Sequence, residues 1–464
     1  MAIASNGVSA GPDDVHQIRR RFARNIPVYY LFNGVSGFLI WMPIWVIYLQ
    51  EFRGMSLTQI STIESLFWLT VVLAEVPTGA VADRWGRRTS LVMGGACFCL
   101  GSVVFAFSST YVVLLAAYVM VAIAITLYSG AGHALIYDTL RQTGRTRDYE
   151  KHIGRSDAMA FGSMLIATLL GGPLVALVGY SVTILLGAIA MGVAGCIALL
   201  LREPPRSEAE ISSLQVSEAG TNGTGDQSGR TGQTGESRSG LLANMLTGVM
   251  VVWRRKTLFW YILFGTVIVA VITITEFLLQ PFVVQHGVDP SAGVTTGFTY
   301  SGMLMSPVAG MVVGSLLAAW VASRFGERRS LMVLLFAGAV LFLAPVLWDS
   351  LWVVVGFGML AAVRGMTRPI ATGYINRRIP SDQRATVLSM FQLSTALMIA
   401  IFMPIAGTVA DMVGFQASFG SLLLILLVAG GVFATVWRRL HGREQAAFAI
   451  TLNSMTKPQA TKSR

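Results

Sequence analysis

The chain has 464 residues, of which 54% are hydrophobic and 12% charged, and its mean hydropathy is +0.64. Soluble domains carry about 25% charged residues, so this composition excludes a soluble globular protein and puts the chain in lipid. The formal net charge of +11 calls for no nucleic-acid partner, because the placement of the basic residues accounts for it.

Residues 1–26 are polar, and the apolar run that follows is too long for a cleavable signal and lacks a small-residue cleavage site. Insertion by an uncleaved first span is expected. A helix rising about 1.5 Å per residue needs roughly 20 apolar residues to cross a hydrocarbon core about 30 Å thick. Twelve stretches qualify and are numbered spans 1 to 12: 27–50, 57–80, 88–108, 111–139, 156–178, 181–201, 258–280, 293–320, 329–347, 351–376, 385–411 and 416–437. Strands do not compete, since open sheet edges cannot be satisfied in hydrocarbon and these runs lack the alternation of a barrel.

Residues 203–242 depart from this pattern, with Pro204-Pro205 and then a Ser, Gly, Thr, Glu and Gln run without apolar period, the signature of a flexible linker. From Leu241 to Lys256 the sequence predicts an amphipathic surface helix. The expected organisation is a tail (1–26), a six-helix bundle (27–202), a linker with its helix (203–257), a second six-helix bundle (258–440) and a second tail (441–464). Cys97, Cys99 and Cys196 all lie inside spans without a C-x-x-C pair and are read as packing residues. Neither a metal nor a cofactor is expected.

Of the 34 lysines and arginines, 31 fall in the tails, the linker and the loops after spans 2, 4, 8 and 10, Arg53 alone falls on the other side, and Arg364 and Arg368 lie within span 10. The positive-inside rule then places both termini in the cytoplasm. The halves also echo each other. Ser323-Arg324-Phe325-Gly326-Glu327-Arg328-Arg329 follows span 8 as Asp83-Arg84-Trp85-Gly86-Arg87-Arg88 follows span 2, about 240 residues earlier. Gly172 and Gly179-Tyr180 in span 5 match Gly407 and Gly414-Phe415 in span 11.

The loop Gly79-Ala80-Val81-Ala82-Asp83-Arg84-Trp85-Gly86-Arg87-Arg88, led into by Glu75-Val76-Pro77-Thr78, resembles the G-x-x-x-D-R-x-G-R-R loop of the major facilitator superfamily at every demanded position. The resemblance extends over about 27–437 and is consistent with two parallel six-span repeats. It implies an all-α integral membrane protein with twelve transmembrane helices in two six-helix pseudo-symmetric bundles, working as a transporter. It further implies that Asp83 caps the start of span 11, near Asp382-Gln383-Arg384-Ala385, and locks the cytoplasmic side. Arg84, Arg87 and Arg88 can pair towards the end of span 4, where Asp138 is the acid at hand. Gly79 is expected to let span 2 pack closely and Gly86 to permit the turn. In the second copy Ser323 replaces the acid and Ala319 the first glycine, so gating by this loop is expected to be asymmetric. Gly171-Gly172-Pro173 is similar to the glycine-proline signature of drug:proton antiporters, with Thr168 and Ala176-Leu177 departing from it.

Ionisable groups inside spans cost about 2.5–3.5 kcal/mol each at a helix centre, so each asks for a role. Glu64 and Glu75 in span 2 share one helical face about 16 Å apart. Glu276 lies in span 7 with Gln280 one turn on, and Arg364 and Arg368 share a face of span 10. These groups either exchange protons and engage substrate or form structural ion pairs between spans. Asn33 in span 1 and His133 in span 4 face the same choice. Tyr29, Tyr30, Phe38, Trp41, Trp45, Met303, Met305, Phe391 and Gln392 are candidates to line a cavity, with interfacial or lipid-facing positions as the other reading. A wall of aromatics and methionines with few polar anchors suits small amphipathic or aromatic molecules better than sugars.

The expected activity is secondary transport of such molecules across the cytoplasmic membrane by alternating access, as proton-coupled efflux by an antiporter. Its partners would be a small-molecule substrate, protons and the bilayer, and the protein would act as a monomer. A facilitator or proton symporter importing a small organic anion, anchored by Arg364 and Arg368, is the alternative. A transporter-like ligand sensor is a third reading. Phosphate-binding, zinc and nucleophilic-triad motifs are missing, so neither enzymatic catalysis nor ATP coupling is expected.

Overall fold

The structure is a computed structural model that describes residues 22–204, 255–379 and 384–456. Among the described residues every regular element is helical. Leu57–Trp85, Arg87–Phe107 and Tyr111–Gln142 are spans 2, 3 and 4, and Lys256–Gln285, Val353–Asn376 and Arg384–Val413 are spans 7, 10 and 11. Tyr149–Ala198 runs through Gly179, whose φ of 81° and ψ of 170° interrupt the helix and separate spans 5 and 6. Val294–Leu347 is divided in the same way at Gly326, with φ 71° and ψ 150°, into spans 8 and 9. Phe415–Thr456 is span 12, and with span 1 the count is twelve. The tails at 1–21 and 457–464, the amphipathic helix expected from Leu241 to Lys256 up to residue 254, and the expected start of span 11 at Asp382-Gln383 lie outside the described residues.

Two departures from expectation have local causes. Span 1 is helical over Asn25–Ser36 and again only from Trp45, the stretch between being a series of turns. Pro43 has no N–H to donate and its ring excludes a regular helical turn before it. The intervening amides make short-range bonds instead, such as Leu39 to the Gly37 carbonyl and Met42 to the Leu39 carbonyl. Span 12 continues past residue 440 to Thr456, because no proline stands between Trp437 and Thr456 to stop it, the first being Pro458.

The repeat written in the sequence is also present in the backbone. Gly86 turns between spans 2 and 3 with φ 94° and ψ 152°, close to Gly326 between spans 8 and 9. Gly179 and Gly414 (φ 109°) make the equivalent pair between spans 5 and 6 and spans 11 and 12. A positive φ is readily available only to glycine.

Contacts divide the chain into two units. The described residues among 1–48, 69–239 and 288–301 form the first, and those among 49–68, 240–287 and 302–464 form the second. The start of span 2 thus belongs with the second half of the chain and the start of span 8 with the first. In the first unit, Trp41, Trp45, Tyr48, Phe98, Phe105 and Tyr118 pack with ring centroids 5.2 to 6.5 Å apart. The Tyr48 hydroxyl donates to the carbonyls of Phe105 and Ala106 at 3.0 and 2.9 Å, giving the buried polar tip its partners. At the other end of these helices, buried Asn25 donates to Thr139 Oγ1 (3.0 Å) and the Arg202 carbonyl (2.8 Å) and accepts the Arg202 amide (2.9 Å). One side chain so ties spans 1, 4 and 6.

In the second unit span 7 is buried along most of its length and packs on spans 10, 11 and 12. Tyr261 stacks on Tyr374 at 3.7 Å beside Trp437. Spans 8 and 10 meet through small residues: a Cβ on Gly310 would overlap the Gly358 carbonyl, one on Gly314 the Ala362 carbonyl, and one on Gly365 the Met311 carbonyl. Lipid tails provide no hydrophobic drive for helix association, so close backbone packing supplies it.

Replacing Gly86 by alanine should cost about 1–3 kcal/mol, since it forces a side chain into positive φ. Gly79, where a Cβ would meet no atom within 4 Å, should accept alanine with little change. Thermal unfolding of the two purified variants distinguishes them: a clear drop in midpoint for Gly86→Ala and none for Gly79→Ala.

Candidate functional site

The loop after span 2 is organised by two acids from elsewhere in the first unit. Arg87 forms an ion pair with Asp138, which is buried at the end of span 4, and donates to the Ala134 carbonyl at 2.7 Å. Glu203, beyond span 6, accepts the backbone amides of Arg87 and Arg88, both at 2.8 Å. Its carboxylate so caps the N-terminus of span 3, where unpaired amides and the helix dipole favour negative charge. It also lies against Gly86, where a Cβ would come within 3.1 Å of Glu203 Cδ. Arg88 reaches the Leu199 carbonyl at 2.6 Å. Asp83 and Arg84 are exposed and make no hydrogen bond or ion pair among the described residues. The partner expected for Asp83, the start of span 11, lies outside them. A Cβ on Gly79 would meet no atom within 4 Å among the described residues.

The intramembrane charges separate into three settings. Glu276 of span 7 and Arg364 of span 10 form an ion pair at 3.0 Å. Arg364 also donates to Thr273 Oγ1 at 3.2 Å and approaches Met311 Sδ at 3.3 Å. The close crossing of spans 8 and 10 brings Met311 there. Glu276 Oε1 and Arg364 Nε are buried without a hydrogen-bond partner, so the pair has one acceptor and one donor to spare. Gln280 is buried one turn further along span 7. Arg368, expected on the same face as Arg364, is exposed and joins no ion pair among the described residues. Glu64, in the segment of span 2 that belongs to the second unit, accepts Trp68 Nε1–H at 3.0 Å. Glu75, in the part belonging to the first unit, is reached by the Ser129 hydroxyl at 3.3 Å. The two acids of span 2 thus have different hydrogen-bond partners.

Asn33 is half-buried and donates to the Tyr29 carbonyl at 3.2 Å, while His133 and Gln392 are exposed. Several aromatics assigned to a cavity wall are instead packed. Tyr29 is buried beside Phe32 and under Gly132, Trp41 and Trp45 belong to the aromatic core of the first unit, and buried Phe391 abuts Gly265. Tyr30, Phe38, Met303 and Met305 remain partly exposed. Helix rotation decides this, and residue type alone does not reveal it.

Two acids were missed by the sequence reading. Glu203 falls at the edge of the expected linker. Asp411, at the end of span 11, accepts the amides of Leu57 and Thr58 at 3.0 and 2.6 Å and the Thr58 hydroxyl at 2.6 Å. The available signal was a carboxylate within a few residues of a span end. Among the described residues no three His, Cys, Asp or Glu side chains come together as metal ligands would.

The chain matches the sequence profile of the Major Facilitator Superfamily over residues 28–312 and 295–451. It is 24% identical over 407 residues to the Inner membrane transport protein YajR of Escherichia coli (strain K12), covering 86% of this chain and 78% of that one. Its fold is similar to that of the nucleoside transporter NupG, with a TM-score of 0.64 and 14% identity over 91% of this chain and 99% of that one. A bacterial homolog of the human lysosomal transporter Spinster, in its inward-facing and unoccupied conformation, gives 0.66 and 17% over 91% and 98%. The peptide transporter POT in complex with sulfate gives 0.63 and 15% over 92% and 98%. At such identities these structures speak for the fold alone. The long apolar helices, the duplicated turns and the profile match along nearly the whole chain lead to one conclusion: the protein belongs to the Major Facilitator Superfamily of integral membrane transporters.

Proposed function

We propose that the protein exports small amphipathic or aromatic molecules across the cytoplasmic membrane in exchange for protons, alternating between inward-open and outward-open states. The observation that carries this reading is the Glu276–Arg364 pair, with one carboxylate oxygen and one guanidinium N–H left over. Taking two charges out of water is costly, and their attraction offsets the cost only with good geometry. A proton on Glu276 removes the attraction and frees Arg364. Deprotonation restores the pair. Such a group can couple proton movement to a change in packing between spans 7 and 10. Glu64, held by a single indole N–H, is a second candidate to carry a proton. The partly exposed Tyr30, Phe38, Met303 and Met305 supply apolar and polarizable surface for substrate. In this reading the arginine-rich loops face the cytoplasm.

One observation favours the import of a small organic anion: Arg368 is exposed and makes no ion pair among the described residues, so its charge is available to a carboxylate. The two readings part in liposomes with an imposed proton gradient. Under export, uphill movement of amphipathic cations or aromatic compounds vanishes with an ionophore and in Glu276→Gln, while Arg368→Gln retains it. Equilibrating flux indifferent to the ionophore would return Glu276 to a structural role. Loss of organic-acid binding in Arg368→Gln would favour import.

Arg364→Ala leaves a buried carboxylate without its partner and should destabilise the protein by about 3–5 kcal/mol. Adding Glu276→Gln should recover much of that loss, the non-additivity of a contacting pair, and thermal unfolding of the three variants measures it. Orientation is tested with Cys97, Cys99 and Cys196 replaced. An impermeant maleimide should label Ser291→Cys in intact cells, and Ser228→Cys only after permeabilisation.

A further inference from the structure

The N-terminus of span 2 is capped from two sources. Ser56 Oγ accepts the Gln59 amide at 3.2 Å and Gln59 Oε1 accepts the Ser56 amide at 3.1 Å, a local capping box. The next orphan donors of the first turn are the amides of Leu57 and Thr58. These go to Asp411, more than 350 residues away in sequence. The carboxylate also takes the Thr58 hydroxyl, and its charge faces the positive end of the helix dipole. Just below, spans 2 and 11 are in direct backbone contact. A Cβ on Gly407 would overlap Ser61 Oγ and lie 2.6 Å from the Leu57 carbonyl, and Ser65 donates to the Ala400 carbonyl.

The first unit contains the pseudo-equivalent crossing without the acid. There a Cβ on Gly172 of span 5 would overlap the Gly297 carbonyl and lie 2.7 Å from Ser301 Oγ of span 8, and Ser301 accepts the Gly172 amide at 3.0 Å. Glycine stands opposite a serine and the carbonyl four residues before it in both crossings. Four residues after the glycine, however, span 5 has Ala176 where span 11 has Asp411. Near the start of span 8, Asp289 serves its own turn, accepting the Ser291 amide and hydroxyl. The close approach is common to both copies and the carboxylate cap is an addition to one.

We propose that Asp411 is a positioning residue of the transport cycle: it fastens the end of span 11 to the first turn of span 2 and sets how readily those two spans part. Span 2 belongs to the first repeat and span 11 to the second, and transport by two repeats requires contacts of this kind to be broken and remade. Breaking this one leaves two amides, a hydroxyl and a carboxylate to find other partners together, so the cap adds a discrete step to the separation of the two spans. The proposal rests on membrane transport alone, and neither substrate, direction nor proton coupling enters it.

The test uses the full chain in lipid nanodiscs, without substrate or gradient. The native cysteines are replaced, and nitroxides are placed at Thr62→Cys on span 2 and Met412→Cys on span 11, both exposed positions. Pulsed dipolar spectroscopy reads the separation of the two spans. Asp411→Asn should raise the population of the longer distance relative to the shorter one by between about 2- and 30-fold, the range of measured N-cap losses. Thr58→Val, which removes one of the three bonds, should shift it less and in the same direction. Unchanged distances in both variants would overturn the proposal. A lowered unfolding midpoint with unchanged distances would do so too, leaving Asp411 as a helix cap alone. If Asp411→Asn does not fold, Thr58→Val decides by itself.

Discussion

Hydrocarbon offers no partner to an N–H or C=O group, and this constraint shapes nearly every feature of the chain. Inside the spans the helix satisfies it automatically. It reappears as a problem wherever a helix begins, ends or breaks, and those are the places where specific side chains gather. Glu203 takes two amides of span 3, Asp411 takes two of span 2, and Asn25 joins the end of span 6 to spans 1 and 4. The turns within span 1 conform as well. They run into Ile40, Trp41 and Ile44, all buried in protein, where irregular backbone at membrane depth is tolerated.

Side-chain charges meet the same constraint in different ways. Arg87 and Asp138 neutralise each other near a helix end, where the Ala134 carbonyl accepts a further guanidinium hydrogen bond. Glu276 and Arg364 neutralise each other in mid-membrane, but leave donor and acceptor capacity unused. The first pair, at a helix end and bonded to a carbonyl as well, is a structural tie. A pair with spare valence has somewhere to send a proton or a ligand group, which is why the second carries the functional proposal and the first does not.

Much of this was legible in the sequence, because the bilayer converts composition directly into length and number of helices. The repeat could be read as well, since four glycines recur at the positions where the backbone needs positive φ. Rotation about each helix axis could not be read. Arg364 and Arg368 are one turn apart and nominally on one face, yet Thr273, Met311 and Glu276 surround only the first. Tyr29, Trp41 and Trp45 turned inward for the same reason: their neighbours come from spans far away in sequence. Glu203 and Asp411 were visible as acids close to span ends. Their partners were not, because capping across 115 to 354 positions leaves no periodicity to detect.

The division of contacts does not fall at the linker. Residues 49–68 cluster with the second half of the chain and residues 288–301 with the first. Each unit is completed by a segment lent from the other repeat, in the manner of a domain swap fixed within one polypeptide. A single six-span repeat made alone would lack the piece that closes its own cluster, and would find it only in a second copy. Joining the two repeats in one chain therefore turns an encounter between two molecules into an intramolecular one at high effective concentration.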